Sequence, residues 1–292
     1  MFSTEHQVSE SIHGGRRVRT RLLAGALCLF TATAVAGVGA QSAGAATNRN
    51  TPQTKMATNP GHASVRAPAT SGLLNHGGPV QGGPRLYLVL WGWTSDPAGE
   101  SGYLQNFLGA VGNTSWLNTV SQYGGGVGST YMGAWSDPSG VPTTPSDGQI
   151  QAEAASAAAH FGVGSDANAQ IIVATPTGHS TSGFGTQYCA YHGVIGGSAT
   201  TYTDLPYMPD AGGSCGAGSV TGSSLDGVSI VEGHELAEAI TDPELNAWYD
   251  SSGAEIGDIC AWTGLAVIGL NGGSYPMQPL WSNAANACVQ GS

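Results

Sequence analysis

The run from Asp226 to Pro243, DGVSIVEGHELAEAITDP, constrains this chain more than any other segment. Asp226 is a helix-capping residue type, and Pro243 cannot continue a helix. At about 100° per residue, Ile230, Gly233, Leu236, Ala237 and Ile240 fall on one stripe. His234, Glu235 and Glu238 fall on another. The segment therefore predicts an apolar helix pressed into a core while carrying three ionisable groups. Burying such groups without partners is costly. Any fold this chain adopts must supply those partners, and a bound cation is one way to do so.

The spacing has a specific chemical reading. Side chains at i and i+4 of a helix point the same way and can grip one ion. A Glu at i+1 then stands beside metal-bound water and can take its proton. In His234-Glu235-Leu-Ala-Glu238 the usual second His is a carboxylate, which is also a zinc ligand type. Asp258, in Glu255-Ile-Gly-Asp258-Ile-Cys260, offers a third ligand on a downstream element. This reading gives His234, Glu238 and Asp258 to the metal and makes Glu235 the general base. Zinc is the expected ion, with calcium as the alternative. His192, in a glycine-rich region, is a possible additional ligand. A second reading needs no ion: the His and Glu side chains pair with one another or with loop amides. Met277 is either a hydrophobic floor beneath a metal or ordinary core.

The N-terminus sets the compartment. Arg16, Arg17, Arg19 and Arg21 precede an uncharged apolar run from Leu22 to Val38, followed by small-x-small sites ending at Ala40 and Ala45. That order describes a cleavable export signal over residues 1–45. The apolar run is short for a membrane span, which needs about 20 residues. Four cysteines lie beyond it: Cys189, Cys215, Cys260 and Cys288. An even number in an exported chain reads as two disulfides with three possible pairings. Sequential loops close most easily, which favours Cys189–Cys215 and Cys260–Cys288. Zinc held by thiolates is discounted because no Cys-x-x-Cys pair occurs.

Charge excludes whole classes of partner. No Lys or Arg occurs from Leu86 to Ser292, whereas all but Glu5 and Glu10 of the 19 acidic residues lie there. Nucleic acid is excluded as a partner, since phosphate binding needs basic side chains. Anionic membranes are disfavoured after signal cleavage for the same reason. Scarcity of basic groups also suits acidic surroundings, because few cations remain to repel one another. The partner expected instead is an extracellular peptide or an envelope component.

Along the mature chain, residues 46–84 are rich in Thr, Asn, Pro, Gly and Ala without hydrophobic periodicity. They read as a disordered linker or pro-segment. Order is expected from Arg85, giving a single domain over residues 85–292. Leu86–Trp91 and Ala169–Thr175 read as buried strands, and Tyr188–Ile195 as a third. Tyr103–Val111, Ser115–Tyr123 and Asp147–Phe161 read as helices, with Asp147 as the cap of the last. Glycine-rich loops are expected from Gly178 to Gly222. Strand, helices and strand in this order predict an α/β fold with a central sheet.

Several motifs together resemble a known family. His-Glu-Leu-Ala-Glu, Asp242-Pro243, Asn246-Ala-Trp248-Tyr249 and Glu255-Ile-Gly-Asp258-Ile-Cys260 are similar to blocks of the phosphate-induced / exordium family of secreted proteins, with bacterial relatives. Tyr188-Cys189-Ala-Tyr-His192, Leu205-Pro206-Tyr207, Tyr275-Pro-Met277 and Trp281-Ser282 with Cys288 agree in order. The likeness spans about Arg85 to Val289. Asp242 and Glu244 depart from the plant pattern, which weakens Glu244 as a family-wide ligand and favours Asp258. The resemblance implies an extracellular protein linked to growth responses, and no settled enzyme activity. The helix motif separately implies a zincin-like domain. Two functions follow. One is a secreted zinc-dependent hydrolase, peptidase-like, with Glu235 activating water. The other is a non-catalytic secreted protein acting at the cell envelope or in growth signalling.

Overall fold

Alternating apolar side chains on short β-rich runs build the centre of the molecule. The structure is a computed structural model and describes residues 54–59 and 72–292. The export signal expected over residues 1–45 lies outside the described residues. The described residues all belong to one compact unit, Arg49–Ser292. Strands β1 (Thr54–Ala57), β3 (Arg85–Trp91), β4 (Thr130–Asp137), β5 (Ala169–Ala174), β6 (Tyr188–Val194) and β7 (Thr201–Leu205) form one sheet in the order β1-β6-β7-β5-β3-β4. From β7 through β5 and β3 to β4 the pairing is parallel, whereas β6 and β1 add antiparallel. The sheet is therefore mixed, with its central parallel strands β3, β5 and β7 buried on both faces, as crossover connections require.

Along β3 the two faces separate cleanly. Leu86 and Leu88 join a core that includes residues of helices α1 (Glu100–Ala110) and α3 (Asp226–Thr241). Tyr87, Val89 and Trp91 join a second core with Ile150, Ala154 and Ala157 of helix α2 (Asp147–Phe161). The result is three layers, with α1 and α3 on one side of the sheet and α2 on the other. Outlying pairs complete the fold: β2 (Leu74–Asn75) with β8 (Trp248–Tyr249), β9 (Ala266–Leu270) with β10 (Gly273–Met277), and β11 (Leu280–Ser282) with β12 (Ala287–Val289). Among the described residues no helix is long and apolar enough to cross a membrane.

The α/β class and central sheet agree with the sequence reading, as do β3, β5, β6 and α2. Other expectations need correction. Residues 46–84 are not uniformly a disordered linker: Thr54–Ala57 pairs with β6, and Leu74–Asn75 pairs with β8. Backbone pairing with a distant strand leaves no local periodicity to read. Lys55 of β1 also sits over the rings of Tyr188 and Tyr191, at 4.3 and 4.7 Å, a cation–π contact. The rest of that segment lies outside the described residues. Ser115–Tyr123, read as a helix, is helical over Leu117–Tyr123 with 3-10 geometry. Strand β7 lies inside the stretch read as glycine-rich loop. The cap of α2 is Ser146, whose N–H donates to Gln149 Oε1 at 2.9 Å, and Asp147 is the first helical residue. Asp226 likewise opens α3 without capping it; its carboxylate accepts from the Val220 and Thr221 amides at 2.9 and 2.7 Å.

Both disulfides form in the expected pairing, Cys189–Cys215 and Cys260–Cys288. The first ties β6 to a 3-10 turn over Met208–Cys215. The second ties the segment after α3 to β12.

A buried histidine and carboxylate cluster

Helix α3 is buried along its whole length, all of Asp226–Thr241. It packs on β6 on one side and on β10 on another. On the β10 side the helix has no room: a Cβ at Gly233 would lie 2.7 Å from Met277 Cε. Met277 is thus core against α3 at Gly233, among Trp116 and Phe107, and no floor beneath the ionisable row. The row itself faces β6 and the loop that follows α3.

That loop is shaped by Asp242. Its carboxylate Oδ1 accepts from the Asn246 and Ala247 amides, both at 2.6 Å, which turns the chain at the helix end. The chain then returns across the row as Glu255-Ile-Gly-Asp258. Two distant contacts hold it there. The Trp281 amide donates to the Ile256 carbonyl at 3.0 Å, and Gln278 Nε2 donates to the Gly257 carbonyl at 2.9 Å. Gly257 lies flat on the His234 ring, where a Cβ would sit 2.6 Å from Nδ1.

The assembled centre holds two histidines and a set of acids. His234 Nε2 lies 3.1 Å from Glu238 Oε1 and 3.7 Å from Asp258 Oδ1. The Asp258 amide donates to the same Glu238 Oε1 at 3.1 Å. His192 Nδ1 lies 3.2 Å from Glu235 Oε2 and 3.7 Å from Glu238 Oε2. Its Nε2 lies 3.4 Å from the Asp242 carbonyl and 3.8 Å from Glu255 Oε2. The side chains of His192, His234, Glu235 and Glu238 are fully buried, and only Asp258, at 17% exposure, reaches solvent. Neither ring nitrogen of His234 makes a hydrogen bond, and Glu235 Oε1, Glu238 Oε2 and Glu255 Oε2 are also unpartnered.

So many acids without a basic side chain perturb one another. Burial opposes ionisation of Glu238, but the two imidazoles outweigh it and bring its carboxyl down to about 2. Burial would lower the His234 pKa, yet the charge and contact of Glu238, with Glu235 and Asp258, lift it to about 10. His192 is raised in the same way, with Glu235 prevailing over burial. Glu255 is pushed well above the usual carboxylate range by burial and by the negative Glu238. Burial and Glu238 also raise Asp258, to about 7. Glu232, one turn before the row, is raised well above its usual value by burial and Glu235.

The residues singled out in the sequence therefore meet. His234, Glu238 and Asp258 offer ligand atoms all within 4.8 Å of one another. His192, marked as an additional candidate, joins through Glu235 and Glu238, a second such trio. Glu235, assigned as general base, lies against His192. Glu255 and the Asp242 carbonyl were missed as members. Glu255 stands three residues before Asp258, so its place in the same short block was the available signal.

Comparison with known proteins adds a family likeness. The chain is similar to Protein EXORDIUM-like 5 of Arabidopsis thaliana, 28% identical over 236 residues, 63% of this chain and 62% of that relative. The aligned region thus spans less than two thirds of the relative's length. This supports the exordium resemblance read from the motifs. No family model matches the chain. No solved structure matches it either.

Proposed function

We propose that this chain is a secreted, non-catalytic exordium-like protein acting at the cell envelope, and that its buried histidine and carboxylate cluster serves stability rather than turnover. One observation carries the reading: His192, His234, Glu235 and Glu238 are fully buried. A hydrolytic metal centre keeps an open position for water and substrate, whereas structural centres are closed. A base must also come within about 2.6–3.2 Å of the proton that it removes, and Glu235 is engaged with His192 instead. The export signal, the two disulfides and the exordium likeness support an extracellular location.

A second reading, a zinc-dependent peptidase-like hydrolase with a zincin-like helix, is favoured by the meeting of His234, Glu238 and Asp258 as the helix spacing predicts. One experiment separates them. The full chain is expressed with its own N-terminus, recovered from the medium, and assayed on a mixed peptide library with zinc and with chelator. The expected result is a processed extracellular protein without turnover, in wild type and in Glu235→Gln alike. Chelator-sensitive cleavage abolished by Glu235→Gln in a folded protein overturns the non-catalytic reading. Retention inside the cell overturns secretion.

A further inference from the structure

We infer that the cluster is a buried two-zinc centre bridged by Glu238. The inference deepens the stability reading of this cluster, on which it rests. Glu238 turns one carboxylate oxygen to each histidine: Oε1 lies 3.1 Å from His234 Nε2, and Oε2 lies 3.7 Å from His192 Nδ1. Each histidine has a second acid of its own, Asp258 for His234 and Glu235 for His192. The donors therefore divide into two sets, each of one imidazole and two carboxylates, sharing only Glu238.

Hydrogen bonding points to the same arrangement. His192 Nε2 lies 3.4 Å from the Asp242 carbonyl oxygen, an acceptor only, so Nε2 carries the hydrogen. In the neutral ring Nδ1 then presents a lone pair. The atoms facing it are the carboxylate oxygens of Glu235 and Glu238. Lone pair against lone pairs is unfavourable, so a cation lies between them: either a proton on Nδ1, which makes the 3.2 Å contact a hydrogen bond to Glu235 Oε2, or a metal ion. A metal-ligating imidazole that donates its other N–H to a backbone carbonyl is also the usual way such a ligand is oriented. At His234 the case is independent. The ring is fully buried, without a hydrogen bond at either nitrogen, and its Nε2 faces two more carboxylate oxygens. Imidazole and carboxylate are both zinc ligand types, and burial of these side chains keeps bulk solvent from the donors.

The rival is protonation, in which imidazolium and carboxylic acid groups settle the cluster without metal. Counting metal decides between them. Wild-type protein is stripped with chelator, loaded with zinc, dialysed against metal-free buffer and measured by mass spectrometry of the metal. Two zinc ions per chain are expected. Asp258→Asn, at the partly exposed edge, is expected to retain one, as is His192→Ala, with circular dichroism confirming the fold. One ion or none in wild type overturns the inference, and so do two ions retained in both variants. The wild-type count holds even where a variant fails to fold. No zinc in a folded, inactive protein removes the centre and leaves the proposed function standing. Two zinc ions with chelator-sensitive peptide cleavage keep the centre and remove the non-catalytic reading.

Discussion

Gly257 shows how one residue sets the geometry of the cluster. Its backbone is ordinary right-handed, φ −82° and ψ −40°, so glycine is not needed there for conformation. It is needed for space: a Cβ would lie 2.6 Å from His234 Nδ1, 2.8 Å from Cγ and 2.9 Å from Cε1. That places a methyl group directly over the imidazole. The ring cannot swing aside without leaving Glu238. Gly257→Ala is therefore expected to destabilise the protein by about 1–3 kcal/mol, the usual range for overpacking a rigid core. Denaturant unfolding checks this, and a variant as stable as wild type shows that the loop yields and that the close approach is not enforced. The same residue explains why this contact was not legible beforehand. Glycine between Ile256 and Asp258 reads as a turn residue, and only the return of the loop over α3 reveals what it touches.

At the level of elements, the cluster is a junction of three pieces, α3, β6 and the segment 255–258, and the disulfides fasten two of them. Cys189 lies three residues before His192 on β6, and its bridge to Cys215 closes a separation of 26 residues. Cys260 lies two residues after Asp258, and its bridge to Cys288 closes 28. Removing a native bridge from a secreted domain typically costs about 2–5 kcal/mol. Paired Cys→Ser replacement of either bridge is expected to lower the melting temperature, and reducing agent is expected to lower it further than either pair alone. If reduction leaves the transition unmoved, the bridges do not restrain the junction. The helix itself was legible. Its apolar stripe, its ionisable row and its end before Pro243 all follow from a 3.6-residue period. The roles along the row were less so. Glu235 is about 100° round the helix from His234, and what lies in that direction is β6 with His192, an element more than 40 residues earlier in the chain by the separation of 43 between His192 and Glu235.

For the whole molecule, buried acids outside the cluster set the pH dependence. Asp204 on β7 is raised to about 7 by burial, against the hydrogen bond from Thr181. Glu153 on α2 is raised to about 7 by burial and by Asp137. Glu100 on α1 is raised well above its usual value by burial. A carboxyl whose folded pKa exceeds its unfolded value binds more protons when folded, so stability falls as pH rises from the unfolded value through the folded one. Between about pH 4 and 7 these groups therefore favour the acid side. The melting temperature measured in chelator is expected to be higher at pH 5 than at pH 8, with a shallower slope in Glu153→Gln. A melting temperature that climbs toward pH 8 defeats this account. The direction agrees with a mature chain almost free of Lys and Arg. What the sequence determined by itself was local or compositional: the acidic balance, the amphipathic α3, the strongly apolar strands β3 and β5, and cysteines spaced for sequential bridges. Each depends on the period of a short segment or on a count of residue types. The tertiary structure decided the rest. Thr54–Ala57 became an edge strand because β6 offered unpaired backbone groups, which no feature of a Thr-Lys-Met-Ala run announces. His192, Glu255 and the Asp242 carbonyl joined the cluster because β6 and the returning segment 255–258 converge on one side of α3. Partner choice across a sheet, or across a returning loop, is fixed by which surfaces can be buried together, and that is a property of the packed chain rather than of any segment within it.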